Sequence, residues 1–232
     1  MKKINWSNGY AKQAPPIKID YDKYYHYWHM DQILNKVITR GSSVLECGCA
    51  PAQWLAYFSK EYNCKVWGID NSKIGLELSK RNLEMQGIEN FGLIEGDVRH
   101  IPLPDAVFDV VFSTGLLEHF STPIKIVKEL VRVLKPGGLL IVRIPNFQLG
   151  SLLWFINDVL FRHRMSETHF KMDLPDINSW MQRQNLKIIR SEYVGLYVNH
   201  GRIPKANWVL LFVNRFTAHS MMVIGKKKEE EV

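Results

Sequence analysis

Small and acidic residues stand directly after four short apolar runs: Glu46, Gly48 and Cys49 in "SVLECGCA", Asp70 and Asn71 in "KVWGIDNS", Asp97 and Val98 in "LIEGDV", and Ser113, Thr114 and Gly115 in "FDVVFSTG". A turn preference for Gly, Asp, Asn and Ser explains any one of them. Their recurrence in order points to a ligand-binding edge. Asp70 lies about two dozen residues beyond Glu46, the separation at which a carboxylate accepts hydrogen bonds from both hydroxyls of an adenosine ribose. That acid suits NAD and other adenosine ligands alike, and the turn before it discriminates between them. A pyrophosphate needs small residues and free backbone N–H groups, but Ala50 occupies the third small position and Pro51 has no N–H to give. Glu46 would also repel phosphate and could help hold an amino group. The loop tolerates an uncharged or cationic ligand tail.

The elements that must present these residues follow from the hydrophobic rhythm. Strands are predicted at Ser43 to Cys47, Lys65 to Asp70, Phe91 to Asp97, Phe108 to Thr114 and Leu139 to Ile144, separated by segments of helical period. This is the alternation of a parallel, doubly wound sheet, in which ligands sit beyond the carboxyl ends of the strands. A helix over Ser72 to Gln86 should bury Ile74, Leu78 and Met85 and stop at Gly87. A second, capped by Ser121 or Thr122 with Pro123 in its first turn, should bury Ile124, Val127, Val131 and Leu134 before Pro136-Gly137-Gly138. Beyond Pro145 a helix at about Leu174 to Gln184 and strands at Lys187 to Gly195 and Ser220 to Lys226 are expected, with another helix over "PKANWVLLFVNRF".

With 232 residues, 46% of them hydrophobic, the chain can bury a sizeable core, and one compact domain with an insertion is expected. The polar start with Pro15 and Pro16 lacks the pattern of a signal peptide, and the apolar stretch Leu149 to Phe161 falls short of the roughly 18 residues that span a bilayer. A cytoplasmic protein without a transmembrane segment is therefore expected. Cys47, Cys49 and Cys64 are an odd number with no paired metal-ligand spacing, which argues against both a disulfide framework and a zinc knuckle. The net charge of +7 permits an acidic partner, but Lys226 to Lys228 beside three glutamates reads as a solvated, frayed end.

In the order of these motifs the sequence resembles the class I S-adenosylmethionine-dependent methyltransferases, in particular the ubiquinone-biosynthesis-like group with a type 11 methyltransferase domain. The resemblance runs from about Val44 to Ile144, with a continuation to Gly225, and "EGDVRHIPLPDAVFDVVFSTGLLEH" and "LKPGG" are its most specific parts. It implies a seven-stranded, mostly parallel Rossmann-like α/β sheet with an antiparallel last strand, and S-adenosyl-L-methionine as cofactor. It also implies that "LECGCA" surrounds the methionine end, that Asp70 binds the ribose, that Asp97 reads the adenine amino group and that Val98 packs beside the ring. The sequence departs from the family at Ala50 and Pro51, where further glycines are common. "CAPAQW" is also similar to the turn of ribose-methylating RNA methyltransferases, but those carry a Lys-Asp-Lys-Glu set whose places here read Ser113-Thr114-Gly115 and Arg143. Nucleic acid is therefore not the expected partner, although an RNA methyltransferase stays open as an alternative.

Methyl transfer from a sulfonium is an in-line displacement assisted largely by positioning, so no universal catalytic residue is required. His119 in "LLEHF" is the candidate base for an acceptor hydroxyl, with a packing role as the alternative. Metal-assisted relatives carry a further Glu three residues before the Glu-His pair; that place is Gly115, so no metal is expected. The aromatic run Tyr21, Tyr24, Tyr25, Tyr27, Trp28 and His29 either packs on the core or covers the cofactor. The expected organisation is an N-terminal cap segment (1–40), a cofactor-binding core (41–145), a lid-like insertion (146–171) and the C-terminal part of the same domain (172–232). In the insertion, Trp154, Phe155, Phe161 and Met165 could cap an apolar acceptor, with Arg162 and Arg164 at its exit, or pack on the sheet. The expected function is methyl transfer to a small or lipid-like acceptor; a non-catalytic S-adenosylmethionine-binding regulator is the alternative, and the oligomeric state is open.

Overall fold

The computed structural model describes residues 7–20, 24–146, 169–195, 218 and 220–229. Seven strands form one sheet: β1 (Ser43–Cys47), β2 (Lys65–Asp70), β3 (Phe91–Glu95), β4 (Phe108–Thr114), β5 (Leu134–Pro145), β6 (Leu186–Val194) and β7 (Ser220–Lys227), in the order β3-β2-β1-β4-β5-β7-β6. The first five strands in that order run parallel, and β7 lies antiparallel between β5 and β6. The expected doubly wound α/β sheet with an antiparallel last strand is therefore observed. The chain winds outward from β1 through β2 to β3, then returns to lay β4 on the other side of β1, where Cys47 pairs with Ser113. That reversal opens a crevice at the carboxyl ends of β1 and β4.

Alternation along the strands divides the core into two layers. Val44, Val110 and Phe112 join one buried cluster, whereas Leu45, Val111 and Val142 join the other. The first layer is closed by α2 (Tyr25–Leu34), α3 (Gln53–Tyr62) and α4 (Lys73–Met85), with Trp54 at its centre against Tyr27, Tyr57 and Phe112. Burying an aromatic side chain of this size is worth roughly 1.5–3 kcal/mol before any ring-geometry gain. The second layer is closed by α5 (Pro123–Arg132) and α6 (Leu174–Gln182), the latter opened by a reciprocal capping box between Asp173 and Asp176. At the amino ends of the strands, Asp109 accepts from the Ser43 N–H at 2.8 Å and from Lys135 Nζ at 2.7 Å, tying β1, β4 and β5 together.

Several local expectations are corrected. In α4 the buried face is Gly75, Leu78, Ser79, Asn82 and Leu83, while Ile74 and Met85 are exposed. Asn82 is buried because its side chain fastens the N-terminal segment, accepting from the Ile17 N–H at 2.7 Å and donating to the Pro51 carbonyl at 2.8 Å. In α5 the stripe is Pro123, Ile126, Val127, Leu130 and Val131; Ile124 is half-buried, and Leu134 already belongs to β5. Strand β3 ends at Glu95, because the chain then turns so that the Gly96 N–H reaches the Asp70 carbonyl at 3.0 Å. The basic C-terminal run is only in part a solvated end: Lys226 and Lys228 are exposed, but Lys227 closes β7, and its Nζ donates to the carbonyls of Val131 and Leu134 at 2.9 and 2.7 Å, satisfying acceptors at the end of α5 and the start of β5. Met172, Ile177, Met181 and Leu186 join the second core layer, whereas Val194 joins the first. The expected aromatic insertion and the helix over "PKANWVLLFVNRF" lie outside the described residues apart from Asn146 and residues 169–171.

Candidate active site

A cavity of about 170 Å³ lies beyond the carboxyl ends of β1, β2 and β4. Asp70 forms its hinge. The residue is 6% exposed, and its carboxylate accepts from the Ser72 N–H at 2.9 Å and the Ala50 N–H at 3.2 Å. Burial pushes its pKa up, while these backbone N–H groups work in the opposite direction. The acid thus fixes the β1–α3 turn and keeps further lone pairs for ligand hydroxyls. Gly48 adopts a φ of +72°, and a side chain there would come within 3.1 Å of Leu116 Cδ1 across the cavity. Asn71, Asp97 and Val98 complete one wall, and Thr114, Gly115 and His119 contribute to the opposite one.

Asp97 differs from Asp70 in its surroundings. Its carboxylate accepts from the Arg99 guanidinium through Nε at 2.8 Å as well as through Nη2, and this bond holds its pKa below the usual range. Thr114 is fixed from β5, since its Oγ1 accepts from Arg143 Nη1 at 3.1 Å while Arg143 Nε donates to Ser220 Oγ at 2.9 Å. These bonds hold a half-buried guanidinium behind the pocket.

Three of the expected cofactor residues do not reach the cavity wall. Cys49 turns under the loop onto β2, where a Cβ on Gly68 would stand 2.5 Å from its Sγ. Ser113 points into the sheet, with an Oγ that has no partner among the described residues. Glu46 is 2% exposed and sits beneath the turn, with its carboxyl pushed well up by burial and one oxygen, Oε2, unpartnered among the described residues. Residue type and spacing gave these three the same signal as Gly48 and Asp70, because the direction of a side chain at a strand end depends on tertiary packing.

The wall also gains residues that sequence reasoning missed: Tyr10, Ala50, Gly96, Arg99, Leu116 and Phe120. Tyr10 ends the short α1 (Ser7–Tyr10), and its ring lies so close to Gly75 of α4 that a Cβ there would be 2.9 Å away. Burial, then the nearby Asp70, raises its hydroxyl pKa. An isolated tyrosine in a polar stretch shared only with Trp6 carries little sequence signal, whereas the richer run at 21–29 drew the expectation of either core packing or a cover. That run serves the core and the sheet end: Tyr27 packs edge-on against Trp54 at 5.7 Å, and His29 Nδ1 accepts from the Gly195 N–H at 3.2 Å. Tyr21 and the Tyr25 side chain lie outside the described residues.

Residues 45–142, which hold all of these strand ends, match the family described as "Methyltransferase domain". Those residues carry a methyltransferase domain. The domain is similar to the demethylmenaquinone methyltransferase of Geobacillus sp. (strain WCH70), 29% identical over 113 residues that cover 48% of each chain. It is also similar to the uncharacterized methyltransferase YdaC of Bacillus subtilis, 34% identical over 112 residues covering 48% of this chain and 59% of that one. The chain thus spans about half the length of the curated relatives it matches. In fold, the methyltransferase domain and its flanks superpose on a SAM dependent methyltransferase from Aquifex aeolicus with a TM-score of 0.66 at 18% identity, covering 97% of this chain and 99% of the other.

Proposed function

We propose that this protein transfers a methyl group from S-adenosyl-L-methionine to a small, lipid-like acceptor of quinol type. The observation that carries the reading is the crevice at the β1/β4 reversal, whose polar groups are sorted for an adenosine ligand with a cationic tail. Asp70 would accept the ribose hydroxyls, Asp97 and Val98 would meet the adenine, and the turn at Gly48 would take the methionine end. Glu46 supports the cofactor's fit independently: its Oε2 is buried without a partner among the described residues, in a neighbourhood that also contains Asp70. A buried carboxyl so placed behind the turn would ionise beside an imported cation and not beside a phosphate. The cofactor supplies an activated methyl on a sulfonium; the protein's task is to hold that methyl against the nucleophile and keep water away.

The acceptor class rests on two supports. Leu116 and Phe120 give the cavity an apolar side next to His119, and several of the matched relatives are named demethylmenaquinone methyltransferase. His119 would take up the acceptor proton. The segment 146–171 would cover that side, and the domain boundaries at 40, 145 and 171 belong to the same proposal. Among the described residues no helix is long and apolar enough to cross a membrane.

The test is release of S-adenosylhomocysteine from purified protein with S-adenosylmethionine and a panel of short-chain quinols, catechols and RNA oligonucleotides. Turnover is expected with a quinol or catechol and not with RNA. Turnover confined to RNA overturns the acceptor assignment, and tight cofactor binding without turnover on any acceptor overturns catalysis in favour of a cofactor-binding regulator.

A further inference from the structure

His119 lines the cavity beside Leu116 and Phe120, whereas His169 is not among the residues of the cavity wall. The two histidines come from segments about fifty residues apart. They meet because the Phe170 N–H donates to the Glu118 carbonyl at 2.7 Å, which fastens the chain entering α6 to the 3-10 turn Leu117–His119. The two rings lie 4.5 Å apart at 54°, and a nitrogen of each ring and a carboxylate oxygen of Glu118 all lie within 4.8 Å of one another. His169 is half-buried without reaching the cavity, and the neighbouring Phe170 is exposed, so the accessible part of His169 faces bulk solvent.

We propose that His169 is a positioning residue for methyl transfer: it orients the His119 imidazole toward the acceptor and passes on to solvent the proton that His119 takes up. The inference rests on the reading that the protein methylates an acceptor hydroxyl. In that reaction the acceptor O–H bond breaks and the oxygen's electron pair attacks the methyl carbon. The carbon–sulfur bond breaks with its pair on sulfur, the sulfonium charge disappears, and one proton is left over for each methyl moved. Held on His119, that proton would block the next turnover.

The geometry supplies a way out. A separation of the observed order is spanned by one water making two hydrogen bonds of about 2.8 Å each. An imidazole accepts on one nitrogen and donates on the other, so a second histidine continues the path, which a residue serving only to pack would not. The Glu118 carboxyl, pushed up to about 7 by burial while its own backbone N–H and the Arg143 guanidinium draw it down, sits against the pair. The other charged groups on the cavity wall are Asp70 and the Asp97–Arg99 ion pair. A carboxyl so poised balances an imidazolium on either ring in turn and does not pin the charge on one of them.

The test compares whole parent protein with His169→Gln and His169→Ala, using S-adenosylmethionine and the quinol or catechol that the parent methylates fastest. Both variants should lose about tenfold or more in kcat, while KM for the acceptor and affinity for S-adenosylhomocysteine stay within about twofold. Added imidazole should restore activity to His169→Ala and leave the parent unchanged. An unaltered melting temperature in His169→Gln, which keeps size and polarity, separates the effect from loss of fold. A readout independent of turnover comes from the ring-nitrogen NMR shifts of His119, which report its tautomer and hydrogen bonding and should change in His169→Gln at constant pH. Unchanged shifts, a kcat within about twofold of the parent, or a kcat loss that imidazole does not relieve overturns the role of His169. If the shifts change but the parent methylates no quinol or catechol, the methyl-transfer reading falls, and the contact by which His169 orients His119 stands without it.

Discussion

Glu46 after β1 and Glu118 after β4 are 2% and 1% exposed, and each keeps one oxygen without a partner among the described residues. They lie near the ends of adjacent strands beside the same crevice, yet their neighbourhoods differ. Around Glu46 burial raises the pKa, the Leu55 N–H draws it down and the nearby Asp70 raises it again, and the Cys47 and Cys49 thiols beside it are likewise acids whose pKa burial raises. Glu118 interacts with Arg143, which softens but does not cancel the effect of burial, and it has two imidazoles within 4.8 Å. Burial pushes both carboxyls toward the neutral form, and what differs is the company each keeps: acids beside Glu46, a guanidinium and two imidazoles beside Glu118.

The comparison breaks most visibly at the residue that shapes the first neighbourhood. Asp70→Ala removes a ribose partner and leaves the Ala50 and Ser72 N–H groups unpaired, so S-adenosylhomocysteine binding by calorimetry should weaken by about 1–3 kcal/mol. Undiminished affinity would place the adenosine elsewhere. Swapping charge for amide in the two glutamates tests the contrast directly. Glu46→Gln should cost roughly tenfold, about 1.4 kcal/mol, in affinity for the cofactor, whereas Glu118→Gln should leave that affinity within about threefold. Equal effects on cofactor binding would show that the two acids serve one ligand.

A pH series sharpens the same point. Asp70 has a raised folded-state pKa, so its contribution to stability is fully present below the unfolded value and is lost as pH rises through the folded one. A cofactor that needs the ionised acid binds in the opposite sense, better as pH rises through that value. The increase in melting temperature caused by S-adenosylhomocysteine should therefore be several-fold larger at neutral pH than in the acid range; a flat or inverted series would remove Asp70 from the linkage. Asp97→Ala should have the smallest effect. The side chain is 40% exposed and already paired with Arg99, so a loss of about 0.5–1 kcal/mol in cofactor affinity is expected, shrinking further in salt.

Much of this arrangement was legible in the order of residues. Short β-branched runs can bury two faces only as central parallel strands, so "SVLEC", "KVWGID" and "FDVVFST" fixed the sheet, and an acid or glycine after each run fixed the edge at which a ligand binds. Periodicity was less reliable for helix faces: Asn82 lies inside because it finds backbone partners 65 and 31 residues away, and nothing in the local pattern of α4 announces them. Side-chain direction at strand ends was equally hidden, so Cys49 and Ser113 carried the same signal as Gly48 and Thr114 but turned inward.

Sequence alone thus determined which chemistry the β1, β2 and β3 ends can perform, because every residue concerned lies within one or two positions of a strand whose course the hydrophobic pattern dictates. Only the tertiary structure decided what meets there from afar. Tyr10 reaches the pocket because α1 packs on α4, and His169 reaches Glu118 because a backbone hydrogen bond from Phe170 joins segments about fifty residues apart. Such meetings depend on how long connections close over a finished core, and the free energy that selects them is spread over the whole packed interface rather than written in any local pattern.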